Sequence, residues 1–169
     1  TYWLSKPLRT ALQHRHSVSV AGGTDAFRYS LDVNAAMQPG VMKVSENQTK
    51  GVNFNMTYMR DKFTMRANVN LSMSDSKNSP YGSYSQYTRL NPYYIPEDAN
   101  GEQLKILDNN TVSGRSEVIT NPLYNATVGI KDLTSSLNVT TTLGLEYMIL
   151  KNLRVTEQFS YTRGMAGTD

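Results

Sequence analysis

The residue types in this chain that could support chemistry are two histidines, a few loop carboxylates and a group of tyrosines. His14 and His16 stand two residues apart, so in a strand they share one face, as two metal ligands would. No third ligand of suitable type is near them in sequence, and we expect strand-end histidines without a metal. The chain contains no cysteine, so no thiolate site or disulfide framework is expected.

Carboxylates are concentrated in a short segment around Asp98. A short segment resembles part of a calcium-binding loop: Asp98-Ala99-Asn100-Gly101-Glu102. The remaining ligands of such a loop and its bidentate Glu at the twelfth position are missing. Asn-Gly favours a tight turn instead. Glu97 and Asp98 are adjacent in sequence and do not face each other across a cleft, and no nucleophile is paired with a base. We therefore predict neither a cofactor nor an enzymatic activity.

Tyrosines are frequent between residues 75 and 132, a region with several prolines and no sustained periodicity. A phenol ring can stack on a sugar face and form hydrogen bonds at its edge, and it also buries a large area at protein interfaces at low entropic cost. For each tyrosine the alternative is packing within the loop itself. The candidate ligand- or partner-contacting residues are Tyr81, Tyr84, Tyr87, Tyr93, Tyr94 and Tyr124.

The elements that must position this loop are strands with a period of two. In the segment 62–74 apolar residues take the odd positions and polar residues the even ones. The segment 50–60 also alternates, with apolar residues at the even positions 52 to 58. Only a three-residue turn around Asp61 separates them, which predicts one long hairpin. Similar alternation predicts a hairpin around Gly22-Gly23 and another around Lys151, the latter beginning near Ser136. Residues 42–49 are predicted to be a polar connection, and residues 1–13 are left as irregular.

The length and polar faces of these strands favour a membrane barrel. Each long strand runs for about ten residues or more, which a tilted strand needs to cross a bilayer. Its polar face carries Asn, Ser and Thr, as the wall of a water-filled lumen does. The mean hydropathy of −0.49 does not decide the matter, because alternating strands never form an apolar window. The net charge of +3 comes from scattered residues, so no nucleic-acid partner is expected.

The predicted fold class is all-β: an antiparallel up-and-down transmembrane β-barrel segment of about six strands in three hairpins, with a long loop at about 75–132. Short turns alternate with longer connections, as in outer-membrane barrels. Glu157 interrupts the apolar face of the last strand; we place it near a lipid-headgroup boundary, and contact with a neighbouring protein is the alternative. Aromatic residues of the apolar face lie close to the short turns, as an aromatic girdle at one bilayer interface would. These residues are Phe27, Tyr29, Tyr58, Phe63 and Tyr147.

Several motifs resemble the barrel of SusC/RagA-type TonB-dependent transporters, most clearly before residue 100. The turn Gly22-Gly23 between two alternating strands is the most specific of them, and the family usually shows Asp where Tyr2 stands. The segment 91–101 is similar to an extracellular loop of the family, and 121–123 to the segment that re-enters the barrel. The motifs that carry the resemblance are Thr1-Tyr2-Trp3, His16 to Thr24, Phe27 to Ser30, Gln38-Pro39-Gly40, Asn91 to Pro96, Asp98 to Gly101 and Asn121-Pro122-Leu123.

The resemblance implies an outer-membrane importer of large nutrients (glycans, oligosaccharides or peptides) in a Gram-negative bacterium. Its partners would be a SusD-like lipoprotein lid, membrane lipid and, through missing parts of the chain, the TonB complex. Barrels of this kind have about 22 strands, so residues 1–169 would be part of the barrel domain, without the plug and the remaining strands. The six loop tyrosines would then meet substrate or lid. The alternative is a soluble all-β carbohydrate-binding module or adhesin domain, in which a second sheet covers the apolar faces.

Overall fold

A computed structural model of the chain describes residues 1–112, 115–129 and 132–168. The protein is all-β with antiparallel strands in hairpins, which confirms the predicted fold class. Six of the strands form one sheet in the order β1-β2-β3-β4-β7-β8, and β5 and β6 form a separate two-stranded sheet. In chain order the strands are β1 (His14–Gly23), β2 (Phe27–Pro39), β3 (Glu46–Arg60), β4 (Phe63–Lys77), β5 (Ile106–Val112), β6 (Arg115–Thr120), β7 (Leu133–Leu150) and β8 (Leu153–Thr168).

The three predicted hairpins are β1–β2, β3–β4 and β7–β8. The β3–β4 pair keeps one continuous register from Glu46 opposite Lys77 to Arg60 opposite Phe63. Its turn is closed by Asp61, whose φ of 51° lies in the left-handed region. At the β1–β2 turn Gly23 has a φ of 134°, which a residue with a Cβ adopts only with strain. The short turns therefore lie where the sequence predicts them.

Register gives the main sheet two chemically different faces. Val20, Leu31, Phe54 and Val69 are consecutive cross-strand partners, and together they form one row of the apolar face. On the opposite side, which we call the polar face, Asn, Ser and Thr predominate. One row of them is Ser30, Asn55, Asn68, Thr142 and Ser160. Alternation in sequence thus separates most apolar from most polar side chains across the sheet, and Glu157 and Arg163 are charged exceptions on the apolar face.

The main sheet is a single layer in the part of the chain that the structure describes. Each of its strands contacts only its neighbours in the sheet, and neither β5–β6 nor a helix packs on either face. Large side chains of the apolar face are consequently exposed; Phe159 and Tyr161, on the outer strand β8, are 59% and 63% accessible. No helix among the described residues is long and apolar enough to cross a lipid bilayer.

Some strands extend further than the alternation of their sequence indicates. The segment 42–49 was expected to be a connection and the third hairpin was expected to begin near Ser136. Instead β3 begins at Glu46 and β7 at Leu133. The reason is cross-strand pairing: Glu46 lies opposite Pro39 on one side and Lys77 on the other, so backbone pairing continues after the apolar pattern has ended.

The loop between β4 and β7 contains regular elements that the sequence analysis did not predict. They are helix α1 (Tyr84–Thr88), the β5–β6 hairpin and a 3-10 helix at Tyr124–Thr127. The hairpin was missed because its strands are short and Ile106 and Leu107 stand next to each other, which breaks the alternation. Positions 113–114 and 130–131 of the predicted loop lie outside the described residues.

The strand ends opposite the short turns carry a compact unit, which we call the cap. It consists of residues 1–12, residues 40–45 and the described residues of 78–132. Its core is formed by the buried side chains Trp3, Tyr87 and Leu123. The segment 1–13, which the sequence left irregular, is thereby docked: the Trp3 indole Nε1 donates to the Asn91 carbonyl at 3.0 Å. Half-buried residues packed around this core are Met42, Tyr81, Leu90, Tyr94 and Leu107.

Candidate functional site

The cap contains a buried side-chain amide, that of Asn121, which is 2% exposed. Its Nδ2 donates to the carbonyls of Leu104 at 2.8 Å and Pro96 at 3.0 Å, and its Oδ1 accepts the Leu123 backbone N–H at 3.0 Å. Nδ2 also lies 3.3 Å from Gln103 Oε1. One side chain therefore connects the segment before β5 to the segment after β6. This role of Asn121 is not evident from the sequence.

The six candidate tyrosines occupy different environments within the cap. Tyr87 is 1% exposed and its hydroxyl donates to the Tyr81 carbonyl at 2.8 Å, so it packs within the loop, which was the alternative for each tyrosine. Burial, and secondarily the neighbouring Tyr81, raises the pKa of Tyr87 far above its usual value. Tyr81, Tyr94 and Tyr124 are half-buried.

Tyr93 and Tyr84 are the most accessible of the six, at 89% and 40%. The Thr1 backbone nitrogen donates to the carbonyl of Pro92, the residue before Tyr93, so residues 1–3 lie beside this turn. The neighbouring Tyr2, which the sequence analysis did not select, is also exposed. The cap therefore presents aromatic rings to solvent around residues 91–95, and ligand contact by the exposed tyrosines remains a prediction.

The five girdle candidates lie together on the apolar face at the short-turn end. Phe27 is the cross-strand partner of Tyr58, and Phe63 is the partner of Tyr147. The ring of Tyr29 lies 5.9 Å from that of Phe27, centroid to centroid. The register thus joins residues from four strands into one aromatic band. Its contact with a bilayer interface is a prediction.

Glu157 shares a lateral row with part of this band. The row runs from Phe27 through Tyr58 and Met65 to Leu145, which is the cross-strand partner of Glu157. Its carboxylate is thus on the apolar face at the level of the aromatic residues, close to the short turns. The position agrees with the headgroup-boundary interpretation, which stays a prediction.

The polar face carries a charged cluster that the sequence analysis did not identify. The Glu146 carboxylate lies 3.4 Å from Arg66 Nη1 and 3.6 Å from Arg154 Nη1, and its side chain is largely covered. Gly144 stands beside this cluster and leaves an open notch, because a Cβ there would meet only Arg66 atoms at ordinary contact distance. Arg66, Gly144 and Glu146 line a depression of about 360 Å³, and Arg154 lies outside it. The two arginines and the glutamate come from three strands, so spacing in sequence gives no sign of them.

Away from the charged cluster, most hydrogen bonds of the polar face join uncharged groups, and Asp32, whose carboxylate accepts the Ser19 hydroxyl at 2.6 Å, is a charged member. Asn68 Nδ2 donates to Asn55 Oδ1 at 2.7 Å, and Asn55 Nδ2 donates to Asn53 Oδ1 at 2.6 Å. The hydroxyls of Thr140 and Thr162 lie 3.2 Å apart across the β7–β8 pair. Such a surface offers both donors and acceptors to polar solutes.

The two histidines lie on β1, and Asp98 lies in a tight turn of the cap. The imidazole rings of His14 and His16 lie 5.3 Å apart, and no group of three or more potential metal ligands occurs in the described ranges. Asp98 Oδ1 accepts the backbone N–H groups of Asn100 and Glu102, both at 2.9 Å. The Glu102 N–H, together with weaker contributions from Asn100 and Gly101, lowers the pKa of Asp98. The carboxylate closes a turn by binding its own backbone.

Comparison with known proteins gives a fold and no family. No family model matches the sequence, and no curated protein matches it. Solved structures that resemble it include those described as the RagAB peptide transporter and the RagAB peptide importer in the "open-open" state. The first has a TM-score of 0.69 at 18% identity and the second 0.70 at 17% identity. The chain has the fold of part of these transporter chains.

The extent of the match is as informative as its quality. The likeness covers 98% of this chain but 19% of either transporter chain. This chain therefore spans about a fifth of the length of the proteins that it resembles. Nearly all of it, cap included, is accounted for by that one region of similarity.

Proposed function

We propose that this chain forms part of the barrel wall of a SusC/RagA-type TonB-dependent importer in the outer membrane of a Gram-negative bacterium. It acts in the uptake of large nutrients, oligosaccharides or peptides, and has no catalytic activity. Its partners are membrane lipid, a SusD-like lipoprotein lid and, through other parts of the protein, the TonB complex. The observation that carries the proposal is the uncovered apolar face of a single-layer sheet.

Lipid is the occupant that this apolar face fits best. In water each exposed apolar side chain would forgo about 25 cal/mol for every Å² left unburied, and the face spans all six strands. A bilayer removes that cost without a second protein layer. The opposite face, with its Asn, Ser and Thr network, then lines an aqueous lumen, and the aromatic band around Phe27 and Tyr147 lies at one interface.

The sheet edges support a larger closed structure. Each of the outer strands β1 and β8 has one side without a partner strand among the described residues. In hydrocarbon every unpaired backbone group costs several kcal/mol, so a sheet open at both edges would lose tens of kcal/mol. A barrel wall needs further strands on both sides, which agrees with a chain that spans 19% of the transporters it resembles.

The alternative, a soluble carbohydrate-binding module or adhesin domain, lacks its central element. Such a sandwich places a second sheet about 10 Å above the apolar face. In the described residues the other sheet is β5–β6, which belongs to the cap and contacts no strand of the main sheet. Nothing in the arrangement favours this second function.

Under this proposal the cap lies outside the cell and the short turns face the periplasm, as in other barrels with short periplasmic turns. The exposed tyrosines of the cap, Tyr84 and Tyr93 above all, then meet substrate or lid. Tyr87 holds the loop together from within.

Cysteine labelling of intact cells tests the topology. This region contains no cysteine, so Ser83→Cys in the cap and Asp61→Cys in the β3–β4 turn can be introduced singly into the intact protein. Both positions are exposed. With a thiol reagent too large to pass the pore, Ser83→Cys should label on intact cells and Asp61→Cys only after the outer membrane is permeabilised. The reverse pattern would invert the topology, and equal labelling of both would show that the hairpin does not span a membrane.

A further inference from the structure

A cavity of about 270 Å³ lies inside the cap, where segments distant in sequence meet. Lys6 contributes to it from the first residues of the chain, Lys43 from the turn before β3, and Tyr81 from the start of the long loop. Glu97 and Gln103 come from the stretch before β5, and Thr127 from the 3-10 helix after β6. The cavity is separate from the depression on the polar face and from the exposed tyrosines.

The lining of this cavity carries the ammonium groups of Lys6 and Lys43 and the carboxylate of Glu97, so its net charge is positive. Lys6 and Lys43 are both half-buried, and among the described residues neither ammonium has a carboxylate within 4 Å. The Lys43 ammonium lies 5.8 Å from the centre of the Tyr81 ring, a weak cation–π contact. Two ammonium groups on one small cavity repel each other, and an anion bound between them relieves that repulsion. The arrangement therefore favours a negatively charged guest.

The walls of the cavity are held in place before any ligand arrives. The Lys43 backbone N–H donates to the Pro7 carbonyl at 2.7 Å, and the Lys43 carbonyl accepts the Ser79 hydroxyl at 2.7 Å. Gln103 Nε2 donates to Glu97 Oε1 at 2.8 Å, and Gln103 Oε1 in turn accepts from Asn121. A site with its lining already ordered loses little entropy on binding.

We propose that this cavity binds the carboxylate of a ligand that also presents hydroxyl or amide hydrogens. Lys6 and Lys43 receive the carboxylate through charge-assisted hydrogen bonds. Glu97, which the Gln103 amide orients, accepts hydrogen bonds from the neighbouring hydroxyl or N–H groups and repels a second carboxylate. A cavity of this size holds one unit of a chain: a terminal uronic acid of an acidic oligosaccharide or the C-terminal residue of a peptide. That the ligand is an imported nutrient rests on the proposed function; the carboxylate recognition does not.

Titration calorimetry on the intact protein in detergent tests the inference and separates the two sources. The probes are trigalacturonic acid and trialanine acetylated at its N-terminus, with maltotriose and the C-terminal amide of the acetylated trialanine as their uncharged counterparts. At least one acidic probe should bind about tenfold or more tightly than its counterpart, and its affinity should fall as salt is added. Binding of trigalacturonic acid alone indicates the oligosaccharide source, and binding of acetylated trialanine alone indicates the peptide source. Equal affinities for acidic and uncharged probes, or no binding of any probe, would overturn the inference.

Matched substitutions locate the binding. Lys6→Met and Lys43→Met keep the aliphatic stem and remove the charge, and each should weaken the acidic probe about tenfold. Lys105→Met, at an exposed lysine of the cap that does not line the cavity, should leave the affinity unchanged. Glu97→Gln should tighten binding, because it removes the like charge. If Lys105→Met weakens binding as much as the cavity variants do, the effect is one of net charge and the cavity is not the site.

The folded state of each variant is checked by labelling of Ser83→Cys in the same background on intact cells. Failure of this inference and failure of the proposed function give different results. Labelling that places Ser83 outside, combined with no preference for acidic probes, leaves the transporter proposal intact and refutes the cavity. Preference for acidic probes, combined with labelling that shows no membrane crossing, supports the cavity and refutes the transporter proposal.

Discussion

Removal of the Asn121 side-chain amide should open the cap without disturbing the strands. Asn121→Ala eliminates hydrogen bonds to the Leu104 and Pro96 carbonyls and to the Leu123 N–H, at 2.8 to 3.0 Å. Each such bond contributes about 1 kcal/mol net, and the Leu123 N–H, left buried without its acceptor, costs about 1 kcal/mol more. The expected loss of local stability is therefore about 3 to 4 kcal/mol. Since 1.4 kcal/mol is a factor of ten, the opening equilibrium of the cap should shift by about 100- to 1,000-fold.

Hydrogen exchange measured by mass spectrometry on the intact protein detects this opening. Amides of peptides covering 96–107 and 119–128 should exchange faster in Asn121→Ala, while those of β3 and β4 should keep their protection, because local opening leaves the main sheet paired. Asn125→Ala, at an exposed asparagine of the same segment, is the matched control. Asn121→Asp keeps the acceptor for the Leu123 N–H. If its carboxyl group is protonated it also keeps one donor, and exchange in the cap should lie between that of the parent protein and that of Asn121→Ala. If it ionises in the buried site, exchange should be faster than in Asn121→Ala. Unchanged exchange in the cap of Asn121→Ala would refute the idea that this amide holds the two segments together.

Three further predictions concern single residues. Tyr87→Phe removes the hydrogen bond that the buried hydroxyl donates and keeps the ring, so exchange in the cap should accelerate about 5- to 10-fold, equivalent to about 1 kcal/mol; no acceleration would mean that packing alone retains the loop. Gly23→Ala would place a Cβ 2.0 Å from the Phe27 carbonyl oxygen of the same turn, at a φ of 134°. This substitution should reduce the yield of assembled, heat-modifiable barrel on gels. Gly167→Ala, at a position with open space around it, should assemble normally. The lowered pKa of Asp98 means that the ionised carboxylate stabilises its turn. Protection of the Glu102 amide, corrected for intrinsic exchange, should therefore stay constant from neutral pH down to about 4, the unfolded pKa, and should be lost below it as the carboxyl protonates. Asp98→Asn should lack this transition.

The sequence was sufficient for the main sheet because the information that specifies it is local. Alternation over Phe63 to Met73 determines which face is apolar, and a glycine pair or a three-residue turn determines where the chain reverses. Because the pattern is local, it does not reveal where β3 and β7 begin. Residues such as Glu46 belong to β3 because a neighbouring strand happens to extend beside them, which no pattern in their own sequence records.

The cap could not be predicted in the same way, because its contacts join residues far apart in the chain. Trp3 meets Asn91 across 88 positions, and the cavity brings Lys6 together with Thr127. Prolines and tyrosines indicated that the loop mattered without indicating its packing, so Tyr87 in the core and Tyr93 in solvent were indistinguishable beforehand. Single-residue chemistry was visible in the sequence, whereas the environment of each residue was not.

The polar face also has a consequence for anything that moves along it. Its Asn, Ser and Thr groups repeat at the lattice spacings of a sheet, about 4.8 Å between strands and about 6.8 Å between same-face residues of one strand. Each of these groups offers a hydrogen bond of similar and modest strength, so a solute can exchange one partner for the next across a low free-energy barrier. An uncharged solute that moves along this face would therefore encounter only small differences in binding free energy. Charged side chains interrupt this surface at Asp32 and at the Glu146 cluster with its two arginines, where a charged solute would bind more strongly.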